Sequence, residues 1–223
     1  MIVRQLAAAT AAATFTAAAA AGSVQVVGGA TSVVLDTDTL SAAASLDLSG
    51  VSPDVANSTD LPGGVAFGIN PTDAASLPTT FMYDPADFLG SFSGTIEHTG
   101  SVFFNSDTVE VGNFTIGFDG ARAVGDASGF FVESTTGIAA ILFDIEAPSS
   151  LSALEDSLQI GADLLVSPEF ASFLLTNSLA SVDLTGADVG DAFVNATAVP
   201  TPSAAAGVLM GLGALGLRRK RSA

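Results

Sequence analysis

The sequence predicts a mainly β domain, an antiparallel β-sandwich or barrel-like fold with one or two short helices. Three observations predict it. Apolar and polar residues alternate over short runs, most strictly from Asn113 to Asp119, where Phe114, Ile116 and Phe118 share one face. Glycine, asparagine and aspartate punctuate these runs at the spacing of strands and turns. β-Branched residues, leucine and phenylalanine supply the apolar positions.

Taken in order, Ser23 to Val27 and Thr31 to Leu35 read as strands, with Gly28-Gly29 suited to a turn between them. Asp38 is placed to cap a short helix over Thr39 to Ala44. Leu46 to Val51 alternates again. Pro53 to Asn57 and Leu61 to Gly64 read as loops, Val65 to Ile69 as a strand, and Pro71 to Pro78 as an irregular connection. Asp84-Pro85-Ala86-Asp87 is a turn candidate. Ser91 to Glu97 alternates, with Phe92 and Ile96 as its apolar beats. Ser101 to Asn105 and Thr108 to Val111 make a hairpin about Asn105-Ser106-Asp107. Phe130 to Ser134 and Ala139 to Ile145 are strands joined through Thr136-Gly137. Ser149 to Leu154 reads as a helical turn and Ser157 to Leu165 as a strand. Ser167-Pro168-Glu169 is a helix start: a serine cap, a proline at the first position, and an acid at the positive end of the dipole. That helix runs to about Leu175, with Phe170, Phe173 and Leu174 on one side to cover an end of the sheet. Phe193 to Ala198 is the last strand.

The two ends of the chain differ from this middle. Met1 to Arg4 is a short basic start, and Leu6 to Ala21 is an alanine-rich run closing on Ala19-x-Ala21. Residues 1–21 therefore have the layout of a secretory signal peptide. Residues 22–198 form the expected ectodomain, long enough to build its core without staples. The chain has no cysteine, which excludes thiol catalysis and thiolate metal sites. All 23 acidic residues lie between Asp36 and Asp191, and Arg122 is the one base among residues 22–198. One base against 23 acids gives that domain a net charge of −22. Such a surface repels phosphate, so no nucleic-acid partner is expected.

Residues 199–223 carry a three-part address. Val199, Pro200, Thr201 and Pro202 form a proline-bounded motif. An apolar segment follows, with Ser203, Gly207, Leu209, Gly211, Leu212, Leu215 and Leu217 along it. Arg218, Arg219, Lys220 and Arg221 close it as a basic stop. The three parts in this order resemble the PEP-CTERM sorting signal, with Thr201 standing where that family usually has glutamate. The resemblance implies an exosortase-type enzyme as partner and cleavage near the motif. It also implies delivery to the cell envelope, cell surface or extracellular matrix of a Gram-negative-type bacterium, with exopolysaccharide or other surface proteins as neighbours. The segment from Ser203 to Leu217 would span about 22 Å as a helix. A hydrocarbon core is about 30 Å thick, so the segment suits a signal that is read and removed better than a permanent anchor. The basic stop would stay cytoplasmic. The stretches Gly94 to Gly100 and Val111 to Ile116 are similar to β-rich ectodomains of bacterial surface proteins with this tail.

Chemistry is sparse in the expected ectodomain. His98 is the sole histidine, no G-x-S-x-G elbow is present, and the aromatic platforms common in sugar sites are missing apart from Tyr83. No catalytic residue is assigned. A paired-carboxylate hydrolase stays as a third reading. A haem or transition-metal site would have to use His98 with Tyr83 or carboxylates, and is not expected. Calcium is the candidate cofactor, on Asp36 with Asp38 and on Asp183, Asp188 and Asp191, with Asp84 and Asp87 as a further local pair. None of these matches an EF-hand loop. The expected role is structural or adhesive, with a calcium-dependent binding module as the alternative.

Overall fold

The computed structural model describes residues 22–201. The expected signal helix, Pro202 and the apolar and basic segments after it lie outside those residues.

One antiparallel sheet dominates. Its strands are β1 (Val24–Leu35), β2 (Leu48–Val51), β3 (Ala56–Asn57), β4 (Val65–Gly68), β5 (Met82–Tyr83), β6 (Ile96–Glu97) and β7 (Ser101–Phe104). They continue as β8 (Val109–Phe118), β9 (Ala127–Gly137), β10 (Ala140–Glu146), β11 (Ser150–Ala153), β12 (Ser157–Val166) and β13 (Asp188–Pro200). Helices α1 (Thr37–Ala44), α2 (Phe88–Ser91) and α3 (Pro168–Thr176) and a 3-10 turn at Gly120–Arg122 complete the fold. Neighbouring strands run β2-β7-β8-β9-β10-β12-β13-β1-β4-β3, while β5, β6 and β11 pair with β1, β8 and β12.

The two ends of this order meet. β6 pairs with β8, isolated bridges join Ile69 to His98 and Met82 to Ser93, and the Asn70 N–H donates to the Glu97 carbonyl at 2.7 Å. The sheet is thus one curled wall, a half-barrel with laced edges, and not the two stacked layers of a sandwich. Alternation along the strands sends Val33, Phe67, Ile116, Leu142, Leu164 and Val194 to one shared interior.

Several expectations change for identifiable reasons. Gly28-Gly29 is no turn: β1 runs straight through it for 12 residues. Gly29 is needed because β13 passes close by. A Cβ on Gly29, whose φ is +119°, would run into the carbonyl oxygen of Asn195. The register also slips between Val26 and Gly28, a bulge that bends the strand into the curl. α1 is capped by Asp36, not Asp38: the Thr39 N–H donates to Asp36 Oδ1 at 3.0 Å. The stretch Ser149 to Leu154 holds no helical turn but a strand, Ser150–Ala153, which pairs with Leu158–Gly161 as β11. Only Ile96–Glu97 of the alternating run from Ser91 is strand, because Asp87 caps α2 immediately before it. Ala56–Asn57, expected as loop, pairs with β4.

Other expectations hold. β7 and β8 form the hairpin, with Asn105, Ser106 and Asp107 all at positive φ. Ser167 caps α3, its Oγ accepting from the Phe170 N–H at 3.0 Å and donating to the Ile141 carbonyl at 2.7 Å. Phe170 meets Phe143 edge-on at 6.0 Å, which seats α3 on β10. At the other end an aromatic cluster runs from Phe81 and Phe88 through Phe92 to Phe118 and Phe130.

Candidate functional site

The proline motif begins inside the sheet. Val199 pairs with Gln25 and Pro200 with Val24, at the end of the long β1–β13 ladder. Thr201 is tied to the other end of the folded region: its N–H donates to the Ser23 carbonyl at 2.9 Å, and its hydroxyl reaches the same oxygen at 2.6 Å. Ser23 Oγ lies 2.8 Å from Thr201 Oγ1. The Thr201 hydroxyl therefore serves as a local clasp. Proline lacks an N–H, and Pro200 falls on the last residue of its strand, where a ladder donor is least needed. Pro202, Ser203 and the residues from Gly207 to Arg221 named above lie outside the described residues.

The aspartates proposed for calcium are gathered only in part: Asp36 and Asp38 stand at the start of α1, whereas the Asp188 charge acts on Asp191. Asp36 is occupied with its cap, accepting also from the Thr39 hydroxyl at 2.6 Å, and Asp38 is an exposed residue in the first turn of α1. Asp183 accepts from the Thr185 N–H and hydroxyl, and Asp188 from the Gly190 N–H. Among the described residues, no three histidine, aspartate or glutamate side chains converge on one cation position. The structure instead brings Asp191 opposite Asp163 across β12 and β13. Loss of hydration and then the Asp163 charge raise the Asp191 pKa. Glu146, at the end of β10, is raised for the same reasons, with Asp126 adding to Asp163. Sequence proximity could not find Asp163 or Glu146, since only the fold brings Asp163 beside both Asp191 and Glu146.

Arg122 is held by acids from two elements. Its Nε donates to Asp144 at 2.7 Å, and its Nη1 and Nη2 donate to the two oxygens of Glu169 at 2.7 and 2.9 Å. The guanidinium also lies 5.8 Å from the Phe131 ring centre. Hydrogen bonding to Arg122 holds the Glu169 carboxyl below its usual range. This clamp fixes the first turn of α3 against β10 and the 3-10 turn. A surface recess of about 480 Å³ opens beside it, but the guanidinium is committed to its two carboxylates.

The interior holds His98. It follows β6 directly and is 1% exposed. Its Nδ1 lies 3.0 Å from the Phe114 carbonyl and its Nε2 2.8 Å from the Thr31 hydroxyl. A carbonyl only accepts, so Nδ1 carries the proton and Nε2 accepts from Thr31. Burial pushes the imidazole pKa down to about 4, so the ring is neutral near pH 7. Around this pair lies a cavity of about 100 Å³ whose other walls are apolar. Tyr83 is kept from it by its own bonds: its hydroxyl reaches the carbonyls of Leu154 at 2.7 Å and Ser157 at 2.9 Å. Burial, helped by the Asp156 charge, pushes the Tyr83 pKa up to about 12. His98 and Tyr83 are thus both committed to protein partners.

No family model matches this chain, and no curated protein matches it. Among solved structures, the fold is similar to the C-terminal domain of HtaA from Corynebacterium glutamicum. The likeness has a TM-score of 0.49 at 14% identity, covering 78% of this chain and 99% of that domain.

Proposed function

We propose that this chain is an exported protein of the cell surface or extracellular matrix, delivered through its C-terminal segment, with a β domain that is structural or adhesive and not catalytic. The observation that carries this reading is the clasp between Ser23 and Thr201. The described residues begin where the signal-like run stops, and their last strand ends at Pro200 within the proline motif. Both processing points then sit side by side at one pole, and cuts there leave every strand intact. An exosortase-type enzyme would have to act beyond Thr201, because Val199 and Pro200 are paired in the sheet. The domain's charge of −22 suits a hydrated, carbohydrate-rich setting in which it stays dispersed.

Mass spectrometry of the protein from its native host, fractionated by location, tests the proposal. The expected surface form begins near Gly22 and ends close to Pro202. A surface form that keeps Ala223 would overturn the processing step. A calcium-dependent binding module is the second reading, favoured by the crowding of Asp191 against Asp163. A melting temperature unmoved by millimolar calcium sets it aside.

A further inference from the structure

We infer that the pole bearing the Ser23–Thr201 clasp rests on a lipid surface, with Leu89 and Leu154 set into the headgroup layer, for as long as the C-terminal segment stays attached. The inference rests on the proposed membrane entry of that segment and adds to it a contact made by the folded domain.

The ladders bring four parts of the chain to this pole. Val24 pairs with both Pro200 and Tyr83, so β13 and β5 end beside the start of β1. The Asp84 N–H donates to Ser91 Oγ at 2.8 Å, which folds α2 onto the end of β5. The turn between β11 and β12 closes the group. There the Ala198 N–H donates to the Asp156 carbonyl at 2.9 Å, and the Tyr83 hydroxyl reaches the Leu154 carbonyl at 2.7 Å. β13 starts at the opposite end of the wall, after the connection from α3 that holds Val182.

Two apolar side chains at the pole have no cover. Leu89 of α2 is 76% exposed and Leu154 is 53% exposed, the two most exposed leucines among the described residues. Val199 is exposed on β13 beside them. Both leucines are held in place by their neighbours. The Phe88 ring meets Tyr83 edge-on at 5.4 Å, and the Leu154 N–H donates to the Ser157 carbonyl at 2.8 Å.

The point where the described chain ends decides the occupant. Pro202 alone separates the clasped Thr201 from the apolar run that begins at Ser203. Two residue steps reach at most about 7 Å, so any surface that the run enters lies against this pole. As a helix the run would span about 22 Å, against a hydrocarbon core of about 30 Å. That shortfall draws the bilayer and the pole together. Leucine side chains lose water at that level, which favours the contact. Asp87 precedes Phe88, and Glu155 and Asp156 follow Leu154. Charge is costly deeper in the bilayer, so these carboxylates keep the contact shallow.

The chain has no tryptophan, so an introduced one reports alone. Leu89→Trp, Leu154→Trp and, at the far end, Val182→Trp replace exposed side chains and should leave the melting temperature unchanged. Each full chain is reconstituted into phosphatidylcholine vesicles and isolated by flotation. Emission from Leu89→Trp and Leu154→Trp should move to shorter wavelength and lose intensity when the acyl chains carry bromine near the headgroup. Emission from Val182→Trp should keep its wavelength and intensity. A chain that does not float with the vesicles overturns membrane entry of the segment, and the inference with it. A chain that floats while both leucine positions report water overturns the inference alone. A shift to shorter wavelength without quenching marks cover by a second copy or by the chain's own tail, and equal quenching at Val182→Trp marks a domain bound without orientation. Either result also overturns it.

Discussion

His98 is neutral because its surroundings admit no charge. In the unfolded chain it titrates near 6.5, whereas in the fold it titrates at about 4. Between those values the unfolded state takes a proton that the native state refuses, so stability falls as pH drops through that window. The loss amounts to about 3 kcal/mol once pH is below both values. Melting curves from pH 7 to 4.5 should show this slope, and His98→Gln should flatten it. Asp191 and Glu146 act with the opposite sign. Their raised pKa values mean that stability falls as pH rises through the carboxylate range. Asp163→Asn should relieve this and stabilise the protein at pH 7 by a few tenths of a kcal/mol, read as an increase in melting temperature. Arg122 behaves differently again: Arg122→Met leaves Asp144, about 13% exposed at its side chain, facing Glu169 without a counter-charge. Chemical denaturation should register a cost of roughly 2–3 kcal/mol, below that of breaking a fully buried pair.

At the scale of elements, α3 has the sharpest local cause. Ser167 both caps the helix and bonds back to β10, so Ser167→Ala should cost about 1–2 kcal/mol in denaturant melts, with Ser167→Thr recovering part of it. That helix start was legible because its chemistry is local: a cap, a proline and an acid in consecutive positions. So was the hairpin at Asn105, and so was the alternation of β8. What sequence could not supply was anything set by a partner far along the chain. Gly28-Gly29 looked like a turn because the requirement for Gly29 comes from Asn195, well over a hundred residues away. β11 looked helical because its strand identity comes from pairing with β12. The same distinction holds at the candidate site. Of the aspartates near one another in sequence, Asp188 does act on Asp191, but the larger influence on Asp191 comes from Asp163, which is joined to it only by register. The cavity left no local sign either, since its walls come one to three residues at a time from most of the strands.

At the scale of the whole molecule, self-repulsion among 23 acids opposes compactness. Raising sodium chloride from about 0.05 to 0.5 M shortens the Debye length severalfold and should raise the melting temperature. The curled sheet also sets an order of events. β13 lies between β12 and β1 in the strand order, yet it is the last strand to be synthesised. Until it arrives, β1 has lost its longest neighbour and the wall has a gap at its middle. A chain threaded through an export channel from its N-terminus therefore cannot complete this sheet before residues up to Pro200 have emerged. For a chain exported as proposed, the pairing of its first and last strands would then work as a clock: the sheet is completed only when translocation of the domain is finished.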